Sequence, residues 1–208
     1  MEINDIFENN RRWAAAKMAD DPDFFSRLAG GQSPSMLYIG CSDSRVTAEE
    51  VMGVCPGDVF VMRNIANIVS STDMSAMSVI HYAVTSLKVR HVVICGHYCC
   101  GGVEAAMNPE EGGILNPWLR TIRDVYRLHQ TELDAIDDRT ARLRRLIELN
   151  VQEQCVNIIK TPDIQRAWKE GRTEVHGWVF DIETGLIRDL EIDFDSILKR
   201  IMKIYRTI

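Results

Sequence analysis

The chain has 208 residues, 46% of them hydrophobic and 26% charged, which suits one compact domain with a sizeable core. Its net charge of −6 argues against a nucleic-acid-binding surface, which needs a basic patch, and no apolar run approaches the roughly 18 residues of a membrane span. The opening "MEINDIFENN" is acidic and polar, unlike a secretory or organellar signal, so the expected location is the cytoplasm.

In chain order, Ile3, Ile6, Phe7, Trp13, Ala14 and Met18 mark one face of a helix. Asp21 and Pro22 predict the cap and first turn of a second helix, which Gly30 and Gly31 end. "SMLYIG" (35–40), "DVFVM" (58–62) and "HVVIC" (91–95) read as short buried strands, rich in β-branched residues and bounded by Gly or Pro. Between them, Thr47-Ala48-Glu49-Glu50 has the form of a capping box, and another helical pattern covers about 72–88. Strand and helix alternating at this spacing predict a parallel sheet with right-handed crossovers.

A long helix follows, with Asn116 as cap, Pro117 in its first turn, and Trp118, Ile122, Val125 and Tyr126 on one face. More helix is expected over about 138–158 and 163–170. "TEVHGWVFDI", a turn at "ETG" and "LIRDLEI" predict a late hairpin, and a last helix lies near 195–206. The fold class is α/β: a single domain over 1–208 with a mainly parallel central β-sheet flanked by helices, plus an N-terminal helical arm over 1–30. No Gly-rich phosphate loop follows the first strand, so a nucleotide-binding reading fails.

Six cysteines in a cytosolic chain are not a disulfide framework, because that compartment keeps thiols reduced. Cys95, Cys99 and Cys100 cluster around His97, and "IGCSDSRVTAEE" sets Cys41, Asp43 and Arg45 at alternate positions. Both stretches follow strand runs, and in open parallel sheets ligands bind outside the carboxyl ends of strands. Zinc in a catalytic site takes three protein ligands from thiolate, imidazole and carboxylate, and keeps a fourth position open. His97 and Cys100 are spaced to grip one ion, with Cys41 as the third ligand. Two thiolates and a neutral imidazole cancel the charge of Zn²⁺, yet water bound there still ionises near a pKa of roughly 7. Asp43 either accepts a hydrogen bond from that hydroxide or coordinates the ion and shuts the fourth position. Arg45 can pair with Asp43 in a bidentate fork that keeps it ionised and off the metal.

"CSDSR" at 41–45 followed by "GHYCCGG" at 96–102 resembles the β-class carbonic anhydrases. The resemblance continues through "VMRNIAN" (61–67), "LNPWL" (115–119) and "VHGWVFD" (175–181), and so covers most of the chain. It implies reversible hydration of CO₂ to bicarbonate and a proton by attack of zinc-bound hydroxide, with one Zn²⁺ per subunit on Cys41, His97 and Cys100. Asp43 and Arg45 are then the functional pair. It also implies a homodimer whose N-terminal helix crosses to the partner subunit, often doubled to a homotetramer. One branch of the family has a shut form, stabilised by bicarbonate in a side pocket of Trp, Arg and Tyr. This chain keeps Arg63 but has Tyr38 and Phe180 at the aromatic positions, so bicarbonate inhibition is expected to be weak.

Several residues have plainer readings. Cys55, Cys95 and Cys155 read as small hydrophobes, Cys99 as an oxidisable neighbour of the ligands, and His81, His91, His129 and His176 as local structure. Two rival functions carry different tests. A carbonyl sulfide or carbon disulfide hydrolase would use the same zinc site and release sulfide. A non-catalytic zinc-binding or redox-sensing protein would explain the Cys and His but leave Asp43 and Arg45 without a task.

Overall fold

The computed structural model describes residues 2–109 and 113–205, in two units that meet in sequence at Ser33 and Pro34. The N-terminal unit holds α1 (Ile3–Asp20) and α2 (Phe24–Ala29), and neither helix buries a residue. The expected apolar face of α1 exists but is open: Ile3, Ile6, Phe7, Trp13 and Met18 are all exposed. Trp13 packs edge-on against Phe24 and Phe25, at centroid distances of 6.3 and 5.6 Å. Asp21 does not cap α2 as expected. Asp21 is extended (φ −151°, ψ 98°), as suits a residue before Pro, and closes α1; a turn in which the Phe24 amide donates to the Asp21 carbonyl at 3.1 Å then moves the start of α2 on, so Asp23 takes its cap.

The second unit runs β1 (Met36–Cys41), α3 (Ala48–Met52), β2 (Val59–Asn64), α4 (Met74–His81), β3 (His91–His97), α5 (Gly101–Ala106), α6 (Leu115–Leu128) and α7 (Gln130–Asp134). It continues with α8 (Arg139–Ile159), α9 (Pro162–Lys169), β4 (Glu174–Asp181), β5 (Leu186–Asp189) and α10 (Phe194–Ile201). The sheet order is β2-β1-β3-β4-β5. The first four strands are parallel, and β5 returns antiparallel to β4 as the expected hairpin. The α/β fold and its three expected early strands therefore stand as read.

Local details differ. Thr47 has the extended backbone of a cap, but its hydroxyl receives no hydrogen bond from the first turn, so the capping box is not formed. Asn116 lies inside α6 rather than capping it, and its carboxamide oxygen instead accepts from Arg123. The helix expected over 72–88 begins at Met74, capped by the Asp73 carboxylate on the amides of Ser75 and Ala76. It widens to a π-helix over Tyr82–Leu87, where the Thr85 hydroxyl donates to the His81 carbonyl at 2.6 Å. The last helix stops at Ile201, and the end of its expected range, residue 206, lies outside the described residues.

One face of the sheet, with Leu37, Ile39, Val92, Ile94, Val175 and Val179, joins the main core against Leu146, Ile147, Val151, Cys155 and Ile158 of α8. Each such aliphatic side chain contributes about 1.5–3 kcal/mol on full burial. Two glycines let α8 approach. A Cβ at Gly96 would stand 2.6 Å from Val151 Cγ2, and one at Gly177 only 3.2 Å from Cys155 Sγ. The opposite face carries a smaller cluster with Tyr38, Val93, Cys95 and Phe180. From β1 the chain steps to β2 on one side and then crosses back to β3 on the other, so the sheet's topological switch lies at β1, where crevices form outside strand ends.

Candidate metal centre

Cys41 ends β1, and His97 ends the neighbouring β3. The parallel pairing of these strands, with Gly40 opposite Cys95, brings the two ends together. Three residues beyond His97 the chain turns into α5, with Cys100 at its N-cap. The turn holds Cys99 in the left-handed region (φ 59°), which places its side chain outward and Cys100 inward. Gly102 is required there, since a Cβ would lie 2.7 Å from Ile65 Cγ2.

The ligand-capable atoms of Cys41, His97 and Cys100 lie within 4.8 Å of one another, and all three residues are buried. The two sulfurs are 3.8 Å apart. A tetrahedral zinc with Zn–S bonds of about 2.3 Å sets its sulfurs about 3.8 Å apart, so the spacing already matches. His97 Nδ1 lies 2.9 Å from the Tyr98 carbonyl, which fixes the ring and turns Nε2 toward the sulfurs. That Nε2 is buried and has no hydrogen-bond partner. An unpaired buried imidazole nitrogen is destabilising by about 1–3 kcal/mol, and a metal ion removes that penalty. The residues fit zinc.

The thiols are poised for it. The Cys100 thiol, aided by His97 and by the amides of Ala66 and Asp43, pulls the pKa of Cys41 down against its burial. The same contact with Cys41, together with burial, pushes Cys100 up. One proton is thus easily lost from the pair and the second is retained, until a dication offsets both negative charges.

Asp43 and Arg45 form the expected fork. Arg45 Nε donates to Oδ1 at 2.9 Å, Nη2 to Oδ2 at 2.8 Å, and the Arg45 amide to Oδ1 at 3.0 Å. These bonds, Arg45's side chain foremost, hold the Asp43 carboxyl well below the usual carboxylate range. Asp43 Oδ2 stands 3.8 Å from His97 Nε2, at the margin of the donor cluster. Arg45 Nη2 also reaches the Cys99 carbonyl at 3.3 Å, tying the two reactive stretches to each other.

Of the three side-pocket residues, Arg63 has other engagements. Arg63 donates from Nε to the Cys41 carbonyl at 2.8 Å and from Nη2 to the Asp43 carbonyl at 2.6 Å. Tyr38 and Phe180 are both buried, and the Tyr38 hydroxyl has no hydrogen-bond partner. Arg63 acts here as a strut for the Cys41–Asp43 turn. Of the remaining cysteines, Cys95 and Cys155 are buried core fillers, with the Cys95 thiol pushed up to about 11 by burial. Cys55, expected to be buried, is exposed, because its turn is held by its amide on Asp58 Oδ2 at 2.8 Å rather than by packing.

A second set of residues was not anticipated from the sequence. The Ala66 amide donates to Cys41 Sγ at 3.4 Å from a left-handed backbone (φ 62°). That strained loop is held by α8, whose buried Asn150 donates to the Ala66 carbonyl at 3.1 Å. Gln154, one turn on, accepts from the Val69 amide at 2.9 Å and donates to Asn150 at 3.0 Å. Two amide side chains four residues apart within an apolar helix stripe were the available signal.

A profile of the family described as carbonic anhydrase matches residues 36–187. A carbonic anhydrase of Emericella nidulans is 61% identical over 201 residues, covering 96% of this chain and 88% of that protein. Among solved structures, a β-carbonic anhydrase of Aspergillus fumigatus superposes with a TM-score of 0.92 at 39% identity, covering 99% of both chains. One from Sordaria macrospora, described as tetrameric, gives 0.88 at 46% identity, over 91% of this chain and 96% of that one.

Proposed function

The chain belongs to the β-carbonic anhydrase family of enzymes, and from that premise we propose that it interconverts CO₂ and bicarbonate at a zinc ion held by Cys41, His97 and Cys100. The observation that carries this reading is the buried, unpartnered His97 Nε2 beside two sulfurs 3.8 Å apart. When bound there, zinc supplies a Lewis acid that makes water a nucleophile near neutral pH.

The chain's own residues supply the rest. Asp43 Oδ2, on the margin of the donor cluster, accepts a hydrogen bond from the attacking water and aims its lone pair at the carbon of CO₂. Arg45 keeps that carboxylate ionised, so it acts only as an acceptor, and holds it back from the ligand atoms. Arg63 braces the turn that carries both groups. The substrate needs no charged grip, being small and neutral; a bicarbonate product leaves as the next water enters, and its proton passes to buffer.

We further propose a homo-oligomer, dimer or tetramer, in the cytoplasm. The open apolar face of α1 and the tetrameric Sordaria relative support the assembly. Metal analysis paired with stopped-flow CO₂ hydration over pH 6.5–9 tests the function. One zinc per chain with fast hydration is the expected result; sulfide release from carbonyl sulfide or carbon disulfide without hydration would replace it. The Asp43→Ala variant separates an enzyme from a zinc-binding module: it should keep zinc and lose hydration.

A further inference from the structure

At the opposite end of the same sheet a second group of metal-capable side chains converges. His91 opens β3 and pairs in register with Glu174, which opens β4; His176 is two residues further along β4. Residues two apart share a sheet face, so Glu174 and His176 project together toward His91. His91 Nδ1 lies 3.1 Å from His176 Nε2 and 3.5 Å from Glu174 Oε2, and His176 Nε2 is 4.0 Å from the same oxygen. An ion with tetrahedral bonds of about 2.0–2.1 Å to nitrogen and oxygen sets donor separations of about 3.3–3.4 Å. The three observed distances bracket that value.

Hydrogen bonding accounts for this geometry less well. His91 Nδ1 faces both a second imidazole nitrogen and a carboxylate oxygen, and one proton on it can serve only one of them. Glu174 turns its other oxygen, Oε1, toward Arg90 at 3.8 Å, leaving Oε2 to the imidazoles. Trp178 closes one side, its ring 5.8 Å from that of His176. The two imidazoles are roughly one-quarter exposed, at 29% and 26%, so an ion can enter from solvent.

We propose that His91, His176 and Glu174 form a second binding site for a divalent transition ion of the zinc class, separate from the Cys-His-Cys centre. His91 and His97 stand at the two ends of β3, six residue steps apart, or about 20 Å along a strand. The two sites therefore share no ligand. Two neutral imidazoles and one carboxylate leave a bound dication with a net charge of +1 and an open coordination position for water. The site would tie β3 to β4 at their amino ends, and it stabilises the fold only when the ion is present.

The test starts from protein dialysed to one zinc per chain and titrated with Co²⁺. The expected second equivalent adds the visible bands of a nitrogen- and oxygen-bound ion without the near-ultraviolet thiolate charge-transfer band of a cysteine site, and it raises the thermal midpoint. The double variant H91Q/H176Q should lose this equivalent while keeping the first zinc. Glu174 is exposed, so E174Q leaves the fold intact and should weaken the second equivalent about tenfold or more. Wild-type protein that takes up no second equivalent overturns the proposal, as does a second equivalent undiminished in both variants.

Discussion

The two ends of the central sheet carry comparable donors in opposite circumstances. At the carboxyl ends of β1 and β3, Cys41, His97 and Cys100 are buried, and His97 Nε2 is left without a partner. At the amino ends of β3 and β4, His91 and His176 are partly open and already contact each other. Burial makes the difference. The buried, unpartnered imidazole nitrogen penalises the empty state, and an ion held there would relieve it. The imidazoles at the amino end are partly exposed and meet at 3.1 Å, so an ion there competes with solvent and with that contact. The proposed zinc is therefore expected to be retained at one end, and the proposed second ion to exchange at the other.

Removing a ligand from the buried end should break the comparison most completely. The variant C100S is expected to lose its zinc on dialysis and to hydrate CO₂ no faster than buffer, as measured by metal analysis and stopped flow. Serine leaves the fold of α5 undisturbed but is not a thiolate. Retained zinc with near-normal turnover would remove Cys100 from the ligand set.

Arg45→Ala sharpens it next, because it leaves all three donors in place. Freed from the 2.8 and 2.9 Å fork, Asp43 Oδ2 can close its 3.8 Å gap to the donor cluster. Groups that orient a metal site are worth about 10–100-fold in activity, and a loss of kcat/KM in that range with zinc content unchanged is expected. Arg45→Lys should recover little, since an ammonium cannot reproduce a planar fork. Full activity in R45A would reduce the pair to a surface ion pair.

The sheet linking the two ends gives a smaller effect. Gly177→Ala places a Cβ 2.5 Å from Ile192 Cδ1 and 3.2 Å from Cys155 Sγ. Such overpacking typically destabilises by about 1–3 kcal/mol, read as a lower urea midpoint at unchanged slope. An unchanged midpoint would mean that Ile192 and α8 adjust freely, so that their close approach to β4 does not depend on Gly177.

What the sequence disclosed follows from how local each signal was. Strands β1 to β3 were legible because each is a short run of β-branched residues closed by Gly or Pro, and the hairpin because alternation is a period-two signal. Cys41, Asp43, Arg45, His97 and Cys100 stood out as reactive types at short spacings, though their meeting depends on β1 lying beside β3, which no single segment encodes. Asp21, Thr47 and Asn116 are cap types by composition, but the helices begin elsewhere around Asp21 and Asn116, and Thr47 holds its cap position without an oxygen aimed at a first-turn amide. The braces on the 65–69 loop escaped because Asn150 and Gln154 lie more than eighty residues from it. His91 and His176, read as local structure, likewise meet only across strands 85 residues apart.

The smallest effect concerns Arg63, and it tests whether the carboxyl end responds to its own product. Two of the five guanidinium donors of Arg63 hold the turn, Nε on the Cys41 carbonyl and one Nη2 hydrogen on that of Asp43, so a bicarbonate ion recruiting either would have to unseat the turn that carries the site. Phe180 has no hydroxyl to contribute, and Tyr38 is buried with its hydroxyl unpaired. Initial hydration rates near pH 7.5 should therefore fall with added bicarbonate only along the simple hyperbola of product inhibition. F180Y restores a donor at one of the two positions and is expected to shift that curve modestly toward stronger inhibition. Steep, cooperative inhibition of the unaltered protein would show that Arg63 leaves the turn readily, and that the carboxyl end is as open to exchange as the amino end.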